Sequence, residues 1–447
     1  MLRPSVLPAL LLALTGGCGA RTPLHLGSCF CAPGQECCPD GTCVPTGSEC
    51  TNSDGGSPPS DAGIESDAVI GPDATVTPGL QLSIPTIVFD GAQEGLGLQR
   101  FGQLVWTGDR FGVVWIENDS GHLFVNLRFI GESGDVLPGK HRISDDYIGM
   151  EDSPQSTWLT WNGSELGVFW TVEQRIVMRR VGLDGQPLAS PVVAVSGIGT
   201  NAYIDGAIAL PDGYGLVWRD DSHQTYAYLP YFVRISSEGE QQSLQVRLVE
   251  GFERVDTVGG VVRQAGTYTM VWNVREAGGE DSVYATRFDD FGNSLGAPIP
   301  LYAAENAMLS YFGPALAGGS RATAALWDMD RGVVLVDVED GLPMEQSLVE
   351  PDVTGHANLA GSTDGTMGLI FGQGEWESTN PLPTDLMLLT TNSAHQIIDS
   401  PMLVNRPPAG QDSCLESYTI AAADDGFGLL WAEGCTAART VYFSRAR

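Results

Sequence analysis

The chain has 447 residues, a net charge of −32 and a mean hydropathy near zero, with 17% charged residues and 56 glycines. This composition is typical of a globular protein made of short strands and many turns rather than of long helices. Lys140 is the only lysine, and the chain lacks the clustered positive charge that binding to nucleic acids or to anionic lipid surfaces requires.

Residues 1–17 have the pattern of a signal peptide. Arg3 precedes an apolar run from Val6 to Leu14, and small residues follow that run. The run is too short to span a bilayer. We therefore predict that the protein is exported and that any attachment to a membrane comes from a covalent anchor.

The signal segment ends in LTGGC, from Leu14 to Cys18, which resembles the lipobox of bacterial lipoproteins, although Thr15 stands where that motif has an aliphatic residue. The resemblance implies that Cys18 becomes a lipidated N-terminus. Gly19 rather than Asp follows it, which favours the outer membrane, at the cell surface or facing the periplasm. The alternative is cleavage after Ala20, which would release a soluble secreted protein.

Residues 25–50 contain six of the nine cysteines, among Pro and Gly and with few apolar side chains. Without Cys18 the chain keeps eight cysteines, an even number that suits disulfide pairing in an exported protein. So short a segment cannot be stabilised by a buried hydrophobic core, and we predict a three-disulfide knot whose pairing the sequence leaves open. The alternative is a metal site, but the segment lacks the paired CxxC spacing and the pair of histidines that such sites use. The segment from Gly34 to Cys43 loosely resembles granulin-type modules. The six residues are Cys29, Cys31, Cys37, Cys38, Cys43 and Cys50.

Residues 51–79 consist largely of Gly, Ser, Pro, Asp and Ala and contain five acidic residues and no basic one. Such a composition cannot bury a core and repels itself, so we predict a flexible acidic linker. The predicted order is a lipid anchor, a disulfide knot, a linker and a large body at residues 80–447. This order is typical of a protein displayed at a surface.

The body contains seven copies of an apolar strand that ends in an aromatic residue, 44 to 60 residues apart. A Gly-rich or Asp-rich turn precedes each copy, and a third and a shorter fourth strand follow in most units. Four antiparallel strands at this period resemble the repeats of β-propellers in general, without the motifs of a named subfamily. We predict an all-β, seven-bladed propeller. The aromatic residues are Trp115, Trp170, Trp218, Trp272, Trp327, Phe371 and Trp431.

The two ends of the body predict how the ring closes. The last unit stops after its third strand, Thr440 to Arg445, and an unpaired strand from Leu80 to Phe89 precedes the first unit. We predict that this N-terminal strand completes the last blade, which removes an exposed edge. Cys414 and Cys435 flank the first two strands of that blade and are predicted to form a disulfide.

An acid follows the aromatic residue in every blade, where the second strand leaves the sheet. A ring of carboxylates there would attract a cation, a basic peptide or an amine, and we predict a binding face; the alternative is that hairpin loops of so acidic a protein are acidic anyway. The seven residues are Glu117, Glu173, Asp220, Glu276, Asp328, Glu375 and Glu433.

No assembled catalytic site is evident, and we predict no cofactor and no metal site. The GxSxG match from Gly292 to Gly296 falls in a turn between two strands and lacks the helix of a nucleophile elbow. We expect a monomeric, non-enzymatic binding or scaffold module that presents a propeller face to a protein, peptide or glycan. The alternatives are a hydrolase or lyase that acts on polysaccharide through carboxylates at the propeller channel, and a purely structural envelope component.

Overall fold

The computed structural model describes residues 35–37, 43–45, 80–91, 97–145, 147–148, 156–221, 228–275, 281–304, 315–318, 322–328, 331–338, 346–347, 353–373, 385–405, 415–434 and 439–447. The chain divides into two compact units, residues 1–75 and 76–447. The predicted signal peptide, Cys18 with its predicted lipidation, the predicted linker at residues 51–79, and Cys414 and Cys435 lie outside the described residues.

The described part of the first unit is a two-stranded antiparallel hairpin inside the predicted disulfide knot. Its strands are β1 (Gln35–Cys37) and β2 (Cys43–Pro45), with Cys37 directly opposite Cys43. Cys29, Cys31, Cys38 and Cys50 lie outside the described residues, and the pairing of the knot stays a prediction.

The second unit is a β-propeller of seven antiparallel sheets, in which the strands of a sheet follow one another in chain order. The first strand of this unit, β3 (Thr86–Asp90), belongs to the last blade. Blade 1 comprises β4 (Gly97–Trp106), β5 (Arg110–Asp119), β6 (His122–Gly131) and β7 (His141–Arg142), with the short β8 (Tyr147–Ile148) also on β6. Blade 2 comprises β9 (Thr157–Trp161), β10 (Leu166–Val172), β11 (Arg175–Val181) and β12 (Val192–Ser196).

The remaining blades repeat this four-stranded plan. Blade 3 comprises β13 (Tyr203–Leu210), β14 (Gly213–Asp220), β15 (Leu229–Ser236) and β16 (Val246–Arg247). Blade 4 comprises β17 (Thr257–Gln264), β18 (Thr267–Arg275), β19 (Asp281–Phe288) and β20 (Ile299–Ala304). Blade 5 comprises β21 (Ala315–Ala317), β22 (Thr323–Asp328), β23 (Gly332–Asp337) and β24 (Gln346–Ser347). Blade 6 comprises β25 (Val353–Gly361), β26 (Met367–Gln373), β27 (Asp385–Thr391) and β28 (Ile397–Leu403). Blade 7 comprises β29 (Leu415–Ala423), β30 (Gly426–Glu433), β31 (Thr440–Ala446) and β3.

The innermost strands form a closed ring. Each contacts the innermost strand of the next blade, from β4 through β9, β13, β17, β21, β25 and β29, and β29 contacts β4 again. The predicted seven-bladed all-β propeller is therefore confirmed.

The predicted closure by the N-terminal strand is confirmed as well. Thr86 of β3 lies opposite Phe443 of β31, and Leu82 forms a bridge with Ala446. The strand predicted from Leu80 to Phe89 is interrupted next to Pro85, because proline has no backbone N–H to donate to a ladder.

Adjacent blades pack through the glycine of the repeated strand. A Cβ atom on Gly428 of blade 7 would lie 2.5 Å from the Phe111 ring of blade 1. A Cβ atom on Gly215 of blade 3 would likewise lie 2.7 Å from the Tyr268 hydroxyl of blade 4. Because a side chain would exclude these rings, the glycine allows an aromatic residue of one blade to cover the sheet of its neighbour.

The turns between the third and fourth strands form a second set of contacts between blades. In blade 4, Gly292 has a φ of +81°, and a Cβ atom there would lie 3.0 Å from Phe232 and 3.1 Å from Val246, both of blade 3. In blade 6, His395 occupies the matching place with a φ of +59° and is 2% exposed. Its Nε2 lies 3.3 Å from the Thr323 hydroxyl of blade 5. The residue at this position of the turn therefore fixes one blade to the preceding one.

Candidate functional site

The centre of the ring contains a cavity of about 290 Å³, to which the innermost strands of all seven blades contribute residues. We refer to it as the channel. Most of its lining is apolar or glycine, and Trp158 is its one aromatic residue among the described lining residues. Its polar lining side chains are those of Gln103, Asp205, Asn358 and Thr419.

Asp205 is the one carboxylate among the described residues that line the channel. It lies near the start of β13, at a bulge: Ile204 pairs with Trp218 and Gly206 pairs with Val217, so that Asp205 has no opposite residue on β14. Bulges often redirect a side chain next to a functional site. Here the bulge brings a charged group, 7% exposed, into an otherwise apolar strand.

The two oxygens of Asp205 have different surroundings. Oδ1 lies 3.3 Å from Nε of Arg219, whereas the buried Oδ2 has no hydrogen-bond partner among the described residues. Burial raises the pKa of Asp205 to about 7, and the charge of Arg219 acts against that rise. The carboxyl group is therefore poised to gain or lose a proton near neutral pH.

Arg219 is held in place on several sides. Its guanidinium carbon lies 5.4 Å from the centre of the Tyr203 ring and 5.9 Å from that of the Tyr228 ring. Its Nη1 donates a hydrogen bond to the carbonyl oxygen of Asp256 in blade 4. These contacts fix the guanidinium group beside Asp205, so that the pair on β13 and β14 of blade 3 has a defined geometry.

The described members of the predicted ring of acids lie outside the channel. In three blades the acid accepts a hydrogen bond from the indole of the aromatic residue two positions earlier, at 3.2 Å from Trp115 to Glu117, 2.9 Å from Trp218 to Asp220 and 2.9 Å from Trp431 to Glu433. Asp328 accepts hydrogen bonds from the Tyr302 hydroxyl and the Arg331 amide, and Glu173 pairs with Arg175.

Glu276 and Glu375 lie outside the described residues. None of the other five acids lines the channel. Glu117 has a second partner in Lys140, whose Nζ lies 3.1 Å from the carboxylate. These contacts give Glu117, Glu173, Asp220 and Glu433 partners within their own blades and connect Asp328 of blade 5 to Tyr302 of blade 4. Binding of a cation or peptide by the ring stays a prediction.

Within the part of the chain that the structure describes, no three His, Cys, Asp or Glu side chains are grouped so that they could hold a metal ion. A search of the same residues finds no helix long and apolar enough to cross a bilayer.

Asp205 and Arg219 were not among the residues predicted from sequence. The available indication was an acid within the apolar strand YIDGAIAL of blade 3, since a charge is rarely buried in such a strand without a partner or a function.

No family model and no curated protein matches the chain. Among solved structures, the sialidase of Trypanosoma rangeli is similar with a TM-score of 0.45 and 11% identity, over 71% of this chain and 57% of that one. The chain thus spans little more than half the length of that sialidase. A puromycin-hydrolyzing peptidase of Mycobacterium tuberculosis is similar with a TM-score of 0.47 and 12% identity, over 75% of this chain and 50% of that one.

A subtype N10 neuraminidase-like protein of A/little yellow-shouldered bat/Guatemala has a TM-score of 0.43 and 9% identity, over 82% of this chain and 98% of that one. The likeness in all three cases is one of fold. The similar propellers are named as enzymes or as enzyme-like, which contradicts the prediction of a non-enzymatic binding or scaffold module. That prediction is wrong and is replaced by its alternative.

Proposed function

We propose that the protein is an exported hydrolase that acts on polysaccharide, with Asp205 in the channel as its general acid. The observation that carries the proposal is Asp205, which lines the channel and whose buried Oδ2 atom has no hydrogen-bond partner among the described residues. A carboxyl group with a pKa of about 7 is matched to proton transfer near neutral pH.

The proposed chemistry is hydrolysis of a glycosidic bond. Protonated Asp205 gives its proton to the leaving-group oxygen as the bond between that oxygen and the anomeric carbon breaks; the bonding electron pair leaves with the oxygen, and an oxocarbenium-like sugar stands opposite the newly ionised Asp205 carboxylate. A water molecule adds to the anomeric carbon, and the Asp205 carboxylate accepts the proton that this water releases. The carboxyl group thereby returns to its starting state, and the net reaction consumes one water.

Arg219 is proposed as a positioning residue in this scheme. Its charge favours the ionised form of Asp205 and so limits how far burial raises the pKa of that group. Because Tyr203, Tyr228 and the Asp256 carbonyl hold the guanidinium group, its distance from Asp205 does not depend on substrate.

Screening of polysaccharides and synthetic glycosides for turnover by the full chain tests the proposal. We expect Asp205→Asn to reduce kcat by at least about a hundredfold, the usual contribution of a general acid. The control is Asp212→Asn, because Asp212 is exposed and pairs with Arg234 at a turn. Full activity of Asp205→Asn on a substrate that the natural chain cleaves would contradict the proposal.

The pH profile is a second test. Arg219→Met removes the charge that lowers the Asp205 pKa, so the alkaline limb of kcat/KM should move to higher pH. A variant that merely perturbs folding would lower activity without moving this limb. An unchanged limb in a folded Arg219→Met variant would contradict the assignment.

The proposed enzyme is placed in the outer membrane through a lipid on Cys18, as a monomer whose partner is a glycan. The signal-like residues 1–17, the LTGGC segment and the acidic linker at 51–79 support this placement. Disulfides in the Cys-rich segment and between Cys414 and Cys435 belong to the same proposal. Cys18→Ser should abolish incorporation of labelled palmitate and release the protein from the membrane fraction; retention of the label would contradict it.

A further inference from the structure

The described residues that line the channel carry no permanent charge, because their one ionisable group is the Asp205 carboxyl, which burial keeps largely protonated below about pH 7. Among the described lining residues Asp205 is ionisable, and there is no arginine, lysine or histidine. Arg219, the cation beside Asp205, is already engaged by that carboxylate, by two tyrosine rings and by a backbone carbonyl. An anionic ligand would therefore lose its hydration in the channel without gaining a free positive partner.

The remaining polar lining is neutral. Gln103 and Asn358 are amides and Thr419 is a hydroxyl, groups that can both donate and accept hydrogen bonds. Nδ2 of Asn358 donates to the carbonyl oxygen of Tyr418 at 2.9 Å, and this bond fixes the plane of the amide. The orientation leaves Oδ1 as an acceptor for the hydrogen atom of a ligand hydroxyl.

Size and shape agree with a small unit. A cavity of about 290 Å³ lies just below the usual range for small-molecule sites, about 300–1,000 Å³, and Trp158 offers it one aromatic surface. A ring with several hydroxyl groups and an apolar face satisfies both the amides and the indole.

We propose that the unit which enters the channel is a single uncharged sugar ring, recognised through its hydroxyl groups by Asn358 and Thr419, and that acidic sugars are excluded. This inference rests on the proposed function, whose substrate class it narrows. It concerns binding, whereas the proposed function concerns turnover, so the two can fail separately.

Titration of the full chain at pH 5.5 by isothermal titration calorimetry tests it, with methyl glucoside, methyl galactoside and methyl mannoside as neutral probes. Glucosamine, glucuronate and the methyl glycoside of sialic acid are the charged probes. We expect at least one neutral probe to bind about tenfold or more tightly than every charged one. Equal or tighter binding of an acidic or amino sugar, or no binding of any neutral probe, would overturn the inference.

Two variants connect the binding to the channel. Asn358→Ala should weaken the binding of the neutral probe by roughly five- to a hundredfold, the effect of one lost hydrogen bond to a buried group. Gln245→Ala is the matched control, because Gln245 is an exposed amide at the periphery of blade 3. Thr419→Val serves as a second channel variant if Asn358→Ala does not fold. Unchanged affinity in a folded channel variant would overturn the inference.

The same titrations separate the inference from the proposed function. Channel-dependent binding of a neutral sugar without any turnover would contradict the hydrolase and leave the inference standing. Turnover that requires Asp205 but is confined to acidic sugars would overturn the inference and leave the hydrolase standing.

Discussion

Gly292 of blade 4 lies against Val246 of blade 3, and a Cβ atom at Gly292 would be 3.1 Å from the Cβ of Val246. Its φ of +81° is a conformation that L-residues rarely adopt. The position therefore excludes a side chain for two independent reasons, conformation and space.

We predict that Gly292→Ala lowers the free energy of unfolding by about 2–4 kcal/mol, from left-handed strain together with overpacking between the blades. Gly251 separates the two causes, because its φ is +82° and a Cβ atom there has no neighbour within 4 Å. Gly251→Ala should therefore cost about 1–2 kcal/mol. Equilibrium denaturation by urea measures the free energy of unfolding of both variants. Equal losses of stability in the two variants would mean that overpacking between the blades contributes nothing.

Asp220 is predicted to stabilise blade 3 rather than to bind a ligand. It is 3% exposed and accepts the indole hydrogen of Trp218 at 2.9 Å. Asp220→Ala leaves this buried donor unsatisfied and should cost about 1–3 kcal/mol. Glu173→Gln removes an exposed ion pair from the corresponding place in blade 2 and should cost less than about 1 kcal/mol. The melting temperatures of both variants provide the comparison; similar values would argue against this role for Asp220.

Phe89 is predicted to anchor the closing strand. Its side chain is 1% exposed and its ring centre lies 5.9 Å from that of Trp115 in blade 1. Phe89→Ala should therefore cost about 3–5 kcal/mol. Ile87 of the same strand is 48% exposed, and Ile87→Ala should change stability by less than about 0.5 kcal/mol. Limited proteolysis should also cut Phe89→Ala faster, and resistance equal to that of the Ile87 variant would contradict the anchoring role.

Asp205 should make the folded protein less stable as the pH rises. Its pKa is about 7 in the folded chain and 3.8 as the reference value for an exposed Asp, so the folded state holds an extra proton between these values. The contribution of this group to stability is fully present below about pH 4 and declines up to about pH 7. In Asp205→Asn the decline between pH 4 and pH 7 should be smaller by up to about 4 kcal/mol. Parallel stability curves for the two proteins would show that the carboxyl group is not desolvated.

The architecture was predictable because each blade repeats one local pattern. The third strand of the last blade, predicted from Thr440 to Arg445, agrees with β31 to within one residue. The closing strand was predictable because the last blade lacks a fourth strand and the body begins with a strand that has no neighbour in the first blade. Its break next to Pro85 was not part of the prediction, although the missing backbone N–H of proline explains it.

The candidate site was not predictable in the same way. The acids that follow the aromatic residues recur in every blade, and this recurrence suggested a binding face. At Trp218 and Asp220, however, a hydrogen bond between two side chains of the same strand, β14, accounts for the acid. Asp205 occurs once and belongs to no repeat. Asp205 lies in a channel lined by residues of all seven blades, and its pKa is raised by burial and lowered by the charge of Arg219. Neither effect is a property of the neighbouring sequence.

The pairing of β3 with β31 also has a consequence for the order of events during synthesis. Ser83 receives a hydrogen bond from the Arg445 amide across 362 positions of the chain. The first strand of the propeller to be synthesised can therefore pair only after the last strand has been made. During elongation the earlier blades can form sheets, while both edges of the incomplete ring remain exposed to other chains. Completion of the fold is therefore a late, long-range step, and we expect export in an unfolded state, or a chaperone that covers those edges, to be a condition for a good yield of this protein.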